Sequence, residues 1–454
     1  MHEGLMVSVS GIRGRIGEAL TPEVVARYAA AFGVWACRTA GTLRIVVGRD
    51  TRVSGPMLHR VVLAALESVG CEVVDVGIAA TPTIQLAVED THAAGGLAIT
   101  ASHNPVEWNA LKFIGSSGRF LDADEGASMR AVADAVIPRV RWDALGTVRG
   151  DDGATGRHIE RILGIPFLDV SRIRARRFHV ALDCVRGAGG VIIPPLLERF
   201  GCRVTAINLE LDGRFPRPPE PVAENLGGLE ALVRECGADV GIAIDPDADR
   251  MAIVSEVGHA IGEDYTLALA SRLVLRYRPG PVVANLSTSL IVDEVAAEAG
   301  SAVIRAPVGE ANVAARMRNE GAAIGGEGNG GVILSEVHLG RDAPVAVALL
   351  LQMMVEDDEP ISATTARYGE YRIVKDKLDR PNASLEAVYD TLRQSMAEAA
   401  ADTQDGLRLA WADRWLHVRP SGTEPIVRVI AEAPTEADAR LLIARAREPL
   451  AALR

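Results

Sequence analysis

The sequence lacks several features that would mark particular classes of protein. Its 454 residues include only five cysteines, none with CxxC spacing, so neither a disulfide framework nor a zinc site is expected. Lysine and arginine number 48, against 60 aspartates and glutamates. The formal charge of −12 argues against nucleic acid or an anionic membrane as a partner, and an anionic substrate would need local clusters of positive charge.

Long apolar runs and nucleotide-binding motifs are also missing. The first twenty residues contain no apolar core of a signal peptide, and the apolar stretch Val345–Val355 is far shorter than the roughly 20 residues of a membrane-spanning helix. No Walker A pattern occurs, and no Gly-x-Gly-x-x-Gly opens a predicted helix, which disfavours a nucleotide ligand. We therefore expect a cytoplasmic protein that binds neither membranes nor nucleic acids.

One pattern repeats along most of the chain, whose length allows about three or four domains. A strand, a polar loop, a helix, a glycine and a second strand follow one another at residues 43–76, 178–207 and 282–304. Three such units predict three α/β domains of related topology, with mixed or parallel sheets covered by helices. Beyond residue 360, a helix to Ala401, three strands and a closing helix predict a smaller α+β domain with an antiparallel sheet.

These patterns set the expected domain boundaries. We place the α/β domains at residues 1–150, 151–256 and 257–366, and the C-terminal α+β domain at residues 367–454. Each domain contains a polar loop next to an apolar strand, and these loops contain most of the candidate functional residues.

The loop of the first domain presents a serine at the end of a strand. The apolar segment Gly96–Ile99 leads into a polar turn that contains Ser102 and ends at Pro105. A serine hydroxyl needs neighbours that accept its proton and neutralise incoming charge. His103 is a candidate acid or base, and Lys112 a candidate phosphate partner or base. A plain polar turn is the alternative interpretation.

The loop of the second domain places three carboxylates between two apolar strands. Asp245, Asp247 and Asp249 alternate there, and such a cluster is costly to bury unless a cation neutralises it. Mg²⁺, which prefers oxygen ligands, suits the site. The spacing also matches an EF-hand, but Arg250 stands where that loop needs glycine, and strands rather than helices flank it. A solvated acidic turn is the remaining alternative.

The third domain contains two glycine-rich polar stretches. One surrounds Gly309, and the other spans residues 325–331 and includes Glu327 and Asn329. Carboxylate and amide groups offer the acceptors and donors that sugar hydroxyls need, and the glycines allow the backbone to approach a ligand closely. Ordinary tight turns would have the same composition.

The loop of the fourth domain is typical of a phosphate site. Arg419, the hydroxyls of Ser421 and Thr423, backbone N–H groups near Gly422, and Arg428 on the next strand would together hold a phosphate dianion. A polar hairpin turn would explain the glycine, but it would not explain both arginines.

The four loops, in this order, resemble those of the α-D-phosphohexomutases. The shared segments are Gly-Ile-Arg-Gly at 11–14, Thr-Ala-Ser-His-Asn-Pro at 100–105, Asp-Pro-Asp-Ala-Asp-Arg at 245–250, the Gly-Glu loop, and the C-terminal loop. The resemblance implies three similar domains plus a different fourth, and a phosphoserine at Ser102 that also contacts Mg²⁺. It further implies that Arg13 and Arg250 contact anions.

The resemblance also implies the reaction and its small molecules. The expected substrate is a hexose or hexosamine phosphate, interconverted between its 6- and 1-phosphate, with a hexose or hexosamine 1,6-bisphosphate as activator. A monomer or a homodimer is expected. A phosphoserine-type phosphatase would need no second phosphate site, and a non-catalytic sugar-phosphate binding protein would not need Ser102 and the aspartates.

The chain departs from the family pattern at positions that bear on the choice of sugar. Asn329 replaces a common serine, Gly331 replaces a frequent histidine, and Gly422 stands where some members have asparagine. Glycine at 331 is expected to leave room beside an amine. Together with Gly340-Arg341-Asp342, the loop most resembles the branch that acts on glucosamine phosphates, and mannose or glucose phosphate is the alternative substrate.

Overall fold

The computed structural model describes residues 4–379, 384–421 and 426–452. Within these ranges the strands form four sheets, and helices pack against each of them. The predicted fold class, three similar α/β domains and a smaller α+β domain, is confirmed. None of the helices in the described ranges combines the length and apolar character needed to cross a membrane.

The first sheet has strand order β1-β2-β6-β5-β3-β4-β7. Its strands are β1 (Met6–Ser8), β2 (Gly11–Arg15), β3 (Arg44–Arg49), β4 (Glu72–Ile78), β5 (Gly95–Ile99), β6 (Trp108–Gly115) and β7 (Thr147–Gly150). The accompanying helices are α1 (Pro22–Ala40), α2 (Gly55–Glu67), α3 (Thr81–Asp90) and α4 (Ala123–Asp134), with a short 3₁₀ helix at Trp142–Ala144. Thr21 caps α1, and its side chain accepts a hydrogen bond from the Val24 amide.

The second and third sheets have four strands each and share one apolar core. The second contains β8 (His179–Asp183), β9 (Arg203–Ile207), β10 (Val240–Ile244) and β11 (Met251–Val254), with α5 (Ala154–Leu163), α6 (Val170–Arg176), α7 (Gly189–Arg199), α8 (Gly227–Cys236) and a 3₁₀ helix at Ala223–Asn225. The third contains β12 (Val282–Asn285), β13 (Val303–Ala306), β14 (Ile324–Glu327) and β15 (Gly331–Leu334), with α9 (Asp264–Tyr277), α10 (Ile291–Glu298), α11 (Glu310–Glu320), α12 (Ala343–Asp357) and α13 (Ile361–Thr365). Buried side chains of both parts, such as Leu196 and Leu349, belong to one continuous apolar cluster.

One strand arrangement occurs in all three of these sheets. The orders β6-β5-β3-β4, β11-β10-β8-β9 and β15-β14-β12-β13 are equivalent. In each, the first pair is antiparallel and the following pairs are parallel. The turn that leaves the inner strand for its antiparallel neighbour therefore lies at the same place in each domain. These three turns contain Ser102, the aspartates and Asn329, so three of the predicted loops are structurally equivalent.

The fourth sheet is antiparallel, as predicted, with order β16-β20-β19-β18-β17. Its elements are β16 (Arg372–Asp379), β17 (Ala400–Asp402), β18 (Leu407–Ala410), β19 (Trp415–Pro420), β20 (Ile426–Ala433), α14 (Leu385–Ser395) and α15 (Glu436–Ala452). The predicted helix to Ala401 is wrong at its end, because α14 stops at Ser395 and Ala400–Asp402 pairs with β18. Strand pairing there outweighs the helix propensity of alanine.

Candidate active site

The serine loop has an unusual backbone that one buried arginine holds in place. Ser102 has a φ of 49°, in the left-handed region that non-glycine residues rarely adopt, and is 3% exposed. Arg52, fully buried, donates to the carbonyl oxygens of Ser102 (2.6 Å), Asn104 (2.6 Å), Pro105 (2.7 Å) and Trp108 (2.9 Å). Its guanidinium satisfies carbonyls that would otherwise be buried without partners, which stabilises the turn. The sequence analysis missed this residue.

The hydroxyl of Ser102 contacts the aspartate loop of the second domain. Its Oγ donates to Oδ2 of Asp245 at 3.1 Å, and carboxylate oxygens of Asp245, Asp247 and Asp249 lie within 4.8 Å of one another. The backbone N–H of Thr81, at the start of α3, donates to the Asp247 carbonyl, and its hydroxyl donates to the Asp247 carboxylate. The first domain therefore helps to hold the aspartate loop beside the serine.

The chemistry of the aspartates fits a divalent cation. Burial, and then the neighbouring Asp249 and Asp247, raise the pKa of Asp245 well above its usual range. Burial opposes ionisation of the other two as well, but Lys112 lowers the pKa of Asp247 and Arg341 lowers that of Asp249. Oδ1 of Asp247 and Oδ1 of Asp249 are buried and accept no hydrogen bond within the described residues. Buried carboxylate oxygens that accept no hydrogen bond, in a cluster that disfavours ionisation of one of its members, suit a hard cation such as Mg²⁺.

The two candidate bases near Ser102 differ in charge state. Nδ1 of His103 lies 3.3 Å from the Ser102 Oγ, and burial together with Arg250 and Arg13 lowers the pKa of His103 well below 6.5. Nζ of Lys112 lies 2.6 Å from Asp247. Burial alone would lower the pKa of Lys112, but the adjacent carboxylates outweigh burial and raise it. At neutral pH the imidazole is therefore uncharged and the lysine is a cation.

A cavity of about 560 Å³ unites loops from all four domains. Most of the predicted site residues line it: Arg13, Ser102, His103, Lys112, Arg250, Gly309, Glu327, Asn329 and Arg428. Gly422 and Thr423 lie outside the described residues, while Arg419 and Ser421 are described but do not line this cavity. A larger cavity of about 750 Å³, bordered by Glu263, Tyr371 and Lys375, contains none of the predicted residues.

The C-terminal hairpin places two arginines side by side. Arg419 and Arg428 are direct cross-strand partners in β19 and β20, and Arg428 lines the cavity. Like charges opposite each other destabilise a sheet unless a counter-charge is present. Asp405, whose Oδ2 lies 3.4 Å from Nε of Arg419, supplies a counter-charge.

The glycine-rich stretch at residues 325–331, hereafter the sugar loop, corrects one expectation from the sequence. Gly331 was expected to leave room, but the Arg341 side chain occupies that space, since a Cβ at position 331 would lie 2.2 Å from Arg341 Cδ. Arg341 donates to Oε2 of Glu327, and Oε1 of Glu327 accepts from Asn285 Nδ2 (2.9 Å) and the Gly309 amide (3.0 Å). Burial would raise the pKa of Glu327, but Arg341, Asn285, Arg250 and the Gly309 amide together outweigh burial and lower it, so the carboxylate is ionised.

Two further residues near the site escaped the sequence analysis. Oε2 of Glu310, at the start of α11, lies 3.1 Å from Arg341 Nε, and its Oε1 accepts from Gln85 Nε2 on α3 at 3.1 Å. Gln85 and Glu310 are buried, although such side chains usually lie in solvent. A glutamine inside an apolar helical stretch is the one signal that the sequence offered.

The fold and the cavity together are typical of multidomain α/β enzymes that transfer phosphoryl groups. Family models for the phosphoglucomutase/phosphomannomutase α/β/α domains I, II and III match residues 5–136, 157–258 and 262–371, and the model of the C-terminal domain matches residues 373–448. The chain therefore belongs to the phosphoglucomutase/phosphomannomutase family, the α-D-phosphohexomutases, which confirms the resemblance seen in the sequence.

Individual relatives span almost the whole chain. A probable phosphoglucosamine mutase of Methanopyrus kandleri is 39% identical over 443 residues, 97% of this chain and 96% of that protein. A phosphoglucomutase/phosphomannomutase of Thermococcus kodakarensis is 38% identical over 448 residues, 96% of each chain. A crystal structure of a phosphoglucomutase/phosphomannomutase family protein from Burkholderia thailandensis superposes with a TM-score of 0.84 at 26% identity, covering 99% of this chain and 98% of that one.

Proposed function

We propose that the protein is a phosphoglucosamine mutase, which interconverts glucosamine 6-phosphate and glucosamine 1-phosphate. The observation that supports this most is the 3.1 Å hydrogen bond from Ser102 to Asp245, beside a cavity that also exposes Glu327 and Arg428. A nucleophile, a candidate metal site, a sugar-loop carboxylate and a cation for a second phosphate are thus within reach of one small ligand. The predicted domain boundaries and the cytoplasmic, monomeric or homodimeric state belong to the same proposal.

The proposed reaction has two phosphoryl transfers. In the first, the Oγ–P bond of phosphorylated Ser102 breaks, a new O–P bond forms to the free hydroxyl of the sugar monophosphate, and the hydroxyl proton passes to a protein base. The bisphosphate then turns in the cavity, its other phosphoryl returns to Ser102, and the sugar oxygen regains a proton. A glucosamine 1,6-bisphosphate would phosphorylate an unmodified Ser102 and so act as activator.

Charge neutralisation is the main demand of such a transfer. Mg²⁺ held by Asp245, Asp247 and Asp249, together with an oxygen on Ser102, would neutralise charge on the phosphoryl group. Arg13 contributes from the first domain, where its guanidinium also donates to Oδ1 of Asn104 at 2.5 Å. Lys112 and Arg250 add cations to the lining of the cavity. The phosphate that is not reacting would be held by Arg428, which also lines the cavity, together with its cross-strand partner Arg419 and the residues at 421–423.

His103 is the better placed proton acceptor of the two candidates. Its imidazole is uncharged and lies 3.3 Å from the Ser102 Oγ, whereas Lys112 keeps its proton because Asp247 lies 2.6 Å away. A base must be unprotonated before it can accept a proton. We therefore assign proton transfer to His103 and charge stabilisation to Lys112.

The pH dependence of His103→Gln tests this assignment. Because the pKa of His103 lies well below 6.5, its imidazole is still unprotonated at pH 6.5. In the wild-type enzyme kcat/KM should therefore fall only when the pH drops through this lowered pKa. The variant should lose about 10²-fold or more in kcat and should lack this acid limb. Substrate phosphates titrate identically with both enzymes, so the difference between the two pH–rate profiles belongs to His103.

A matched control for His103 exists outside the site. His59, half-buried and 2.9 Å from Asp75, should tolerate replacement by glutamine with little change in the pH–rate profile. If His103→Gln keeps the acid limb, or if Lys112→Met removes it instead, the assignment is wrong.

The sugar assignment depends on hydrogen-bond acceptors in the cavity. Asn329 lines the cavity, and its buried Oδ1 accepts no hydrogen bond from the described residues, while Oε2 of Glu327 keeps one lone pair beside its hydrogen bond from Arg341. Both acceptors suit a protonated amine, which adds charge to its hydrogen bonds. Similarity to the probable phosphoglucosamine mutase of Methanopyrus supports the same sugar. Similarity to the phosphoglucomutase/phosphomannomutase of Thermococcus makes mannose and glucose phosphates the second candidates.

A substrate panel separates these candidates. We expect kcat/KM for glucosamine phosphate to exceed the values for glucose and mannose phosphates by about tenfold, the size of one charge-assisted over one neutral hydrogen bond. All sugars are compared at one concentration of matched 1,6-bisphosphate activator. A tenfold preference for mannose or glucose phosphate would leave the mutase reaction in place and overturn the sugar assignment.

A further inference from the structure

Arg341 lies where the aspartate loop (residues 245–250) and the sugar loop meet. It is 7% exposed and stands in the connection between β15 and α12. The next residue, Asp342, accepts hydrogen bonds from His158 (2.8 Å), His338 (3.0 Å) and the Val345 amide (3.0 Å). The hydrogen bonds of Asp342 therefore hold this connection in place independently of the contacts that Arg341 makes.

The Arg341 side chain crosses the position of the missing side chain at Gly331. A Cβ there would lie 2.2 Å from Arg341 Cδ and 3.0 Å from its Cγ. The neighbouring Gly330 has a φ of 88°, and its carbonyl accepts from the Met251 amide of β11 at 3.0 Å. The two glycines thus let the sugar loop lie against the second domain, with the arginine between the loops.

Its guanidinium joins carboxylates from the two loops. Nη2 donates to Oδ2 of Asp249 at 2.6 Å, and Nη1 donates to Oε2 of Glu327 at 2.5 Å. Nε lies 3.1 Å from Oε2 of Glu310. A planar fork with donors on separate nitrogens can hold both loops at once, whereas a lysine ammonium is a single point charge.

These contacts decide which oxygens stay available for ligands. At Asp249, Arg341 takes Oδ2, and the buried Oδ1 accepts no hydrogen bond within the described residues. At Glu327, Asn285 and the Gly309 amide both donate to Oε1, while Oε2 accepts only from Arg341 among the hydrogen bonds of the described residues and keeps a lone pair for a ligand. Partners of this kind orient the groups that bind a metal and raise its affinity.

We propose that Arg341 is a positioning residue that couples the two loops, so that the binding of Mg²⁺ and the binding of the sugar phosphate depend on each other. Arg341 occupies Oδ2 of Asp249, which would leave Oδ1 for a cation, and it holds the Glu327 carboxylate for the sugar. Because coupling between two ligands is reciprocal, each ligand strengthens binding of the other by the same factor. The sugar half rests on the proposed function; the metal half does not.

The test measures Mg²⁺ affinity by titration calorimetry on the full chain, without and with saturating glucosamine 6-phosphate. Arg341→Lys keeps the charge but cannot hold both loops, and it should weaken Mg²⁺ binding by about 10- to 100-fold. The gain in Mg²⁺ affinity on adding the sugar phosphate should disappear. As control, Arg272→Lys changes an arginine that bridges Glu298 (2.6 Å) and Asp357 (3.2 Å) elsewhere, and it should leave Mg²⁺ affinity within about twofold.

A second variant approaches the same contact from the other side. Gly331→Ala would push the Arg341 side chain away and should reproduce the loss of Mg²⁺ affinity. Because both changes act through the same contact, the double variant Gly331→Ala/Arg341→Lys should bind Mg²⁺ no more weakly than the weaker-binding single variant. Thermal unfolding confirms that each variant folds. Wild-type Mg²⁺ affinity in folded Arg341→Lys or Gly331→Ala overturns the proposal. Turnover of another sugar phosphate would overturn only the sugar assignment, because the measurement with Mg²⁺ alone still stands.

Discussion

Ser102→Ala is expected to reduce turnover by about 10⁴-fold or more, because the proposed reaction proceeds through a phosphoryl group carried on that hydroxyl. Without the Oγ, neither transfer has an acceptor or a donor on the protein. The hydrogen bonds lost, to Asp245 and to His103, are few, and a typical one contributes only about 1 kcal/mol to stability. The variant should therefore fold normally and be inactive.

Mass spectrometry completes the test of Ser102. Active wild-type protein should contain a phosphate on the peptide with Ser102, and the variant should contain none there. Ser271 provides a matched control, since it is fully buried and its hydroxyl makes no hydrogen bond among the described residues, so Ser271→Ala should keep wild-type turnover. Near-normal turnover of Ser102→Ala would rule out the phosphoserine mechanism.

The second large effect is expected when the candidate metal site is disrupted, which should lower both Mg²⁺ affinity and turnover. Asp247→Asn deletes one charge from three clustered carboxylates, and we expect Mg²⁺ affinity to fall by at least about 10²-fold, since changes to outer-shell partners alone cost about 10- to 100-fold. Turnover should fall with it. Treatment of the wild-type enzyme with a chelator should abolish turnover, and added Mg²⁺ should restore it.

Asp183→Asn is the control for this variant. Asp183 is also buried at the end of a strand in the second domain, but it pairs with Arg217 at 2.7 Å, outside the aspartate cluster. Its replacement should lower stability and leave Mg²⁺ affinity unchanged. An enzyme that works in the presence of chelator, or an Asp247→Asn variant with wild-type Mg²⁺ affinity, would disprove the metal site.

Much of the fold and of the candidate site could be predicted because the signals are local. Alternation of apolar strands, polar loops and glycine-terminated helices indicated the repeated α/β units, and their class is confirmed. The three aspartates lie within five residues of one another, so their clustering needs no knowledge of the rest of the chain. The error at Ala400–Asp402 has the opposite cause, because a short alanine-rich edge strand is specified by its partner β18 rather than by its own residues.

By itself, the sequence determined the order of the four loops, the residue types in each, and hence the family. Only the tertiary structure decided which distant side chains complete the site. Arg52 holds carbonyls 50 to 56 residues away, and Arg341 fills the space at Gly331 while pairing with Asp249, 92 residues earlier in the chain. The Arg52 contacts join two loops of the first domain, and the contact between Arg341 and Asp249 arises because equivalent turns of different domains converge on one cavity. Both follow from sheet topology and domain packing, which no local pattern of residues encodes.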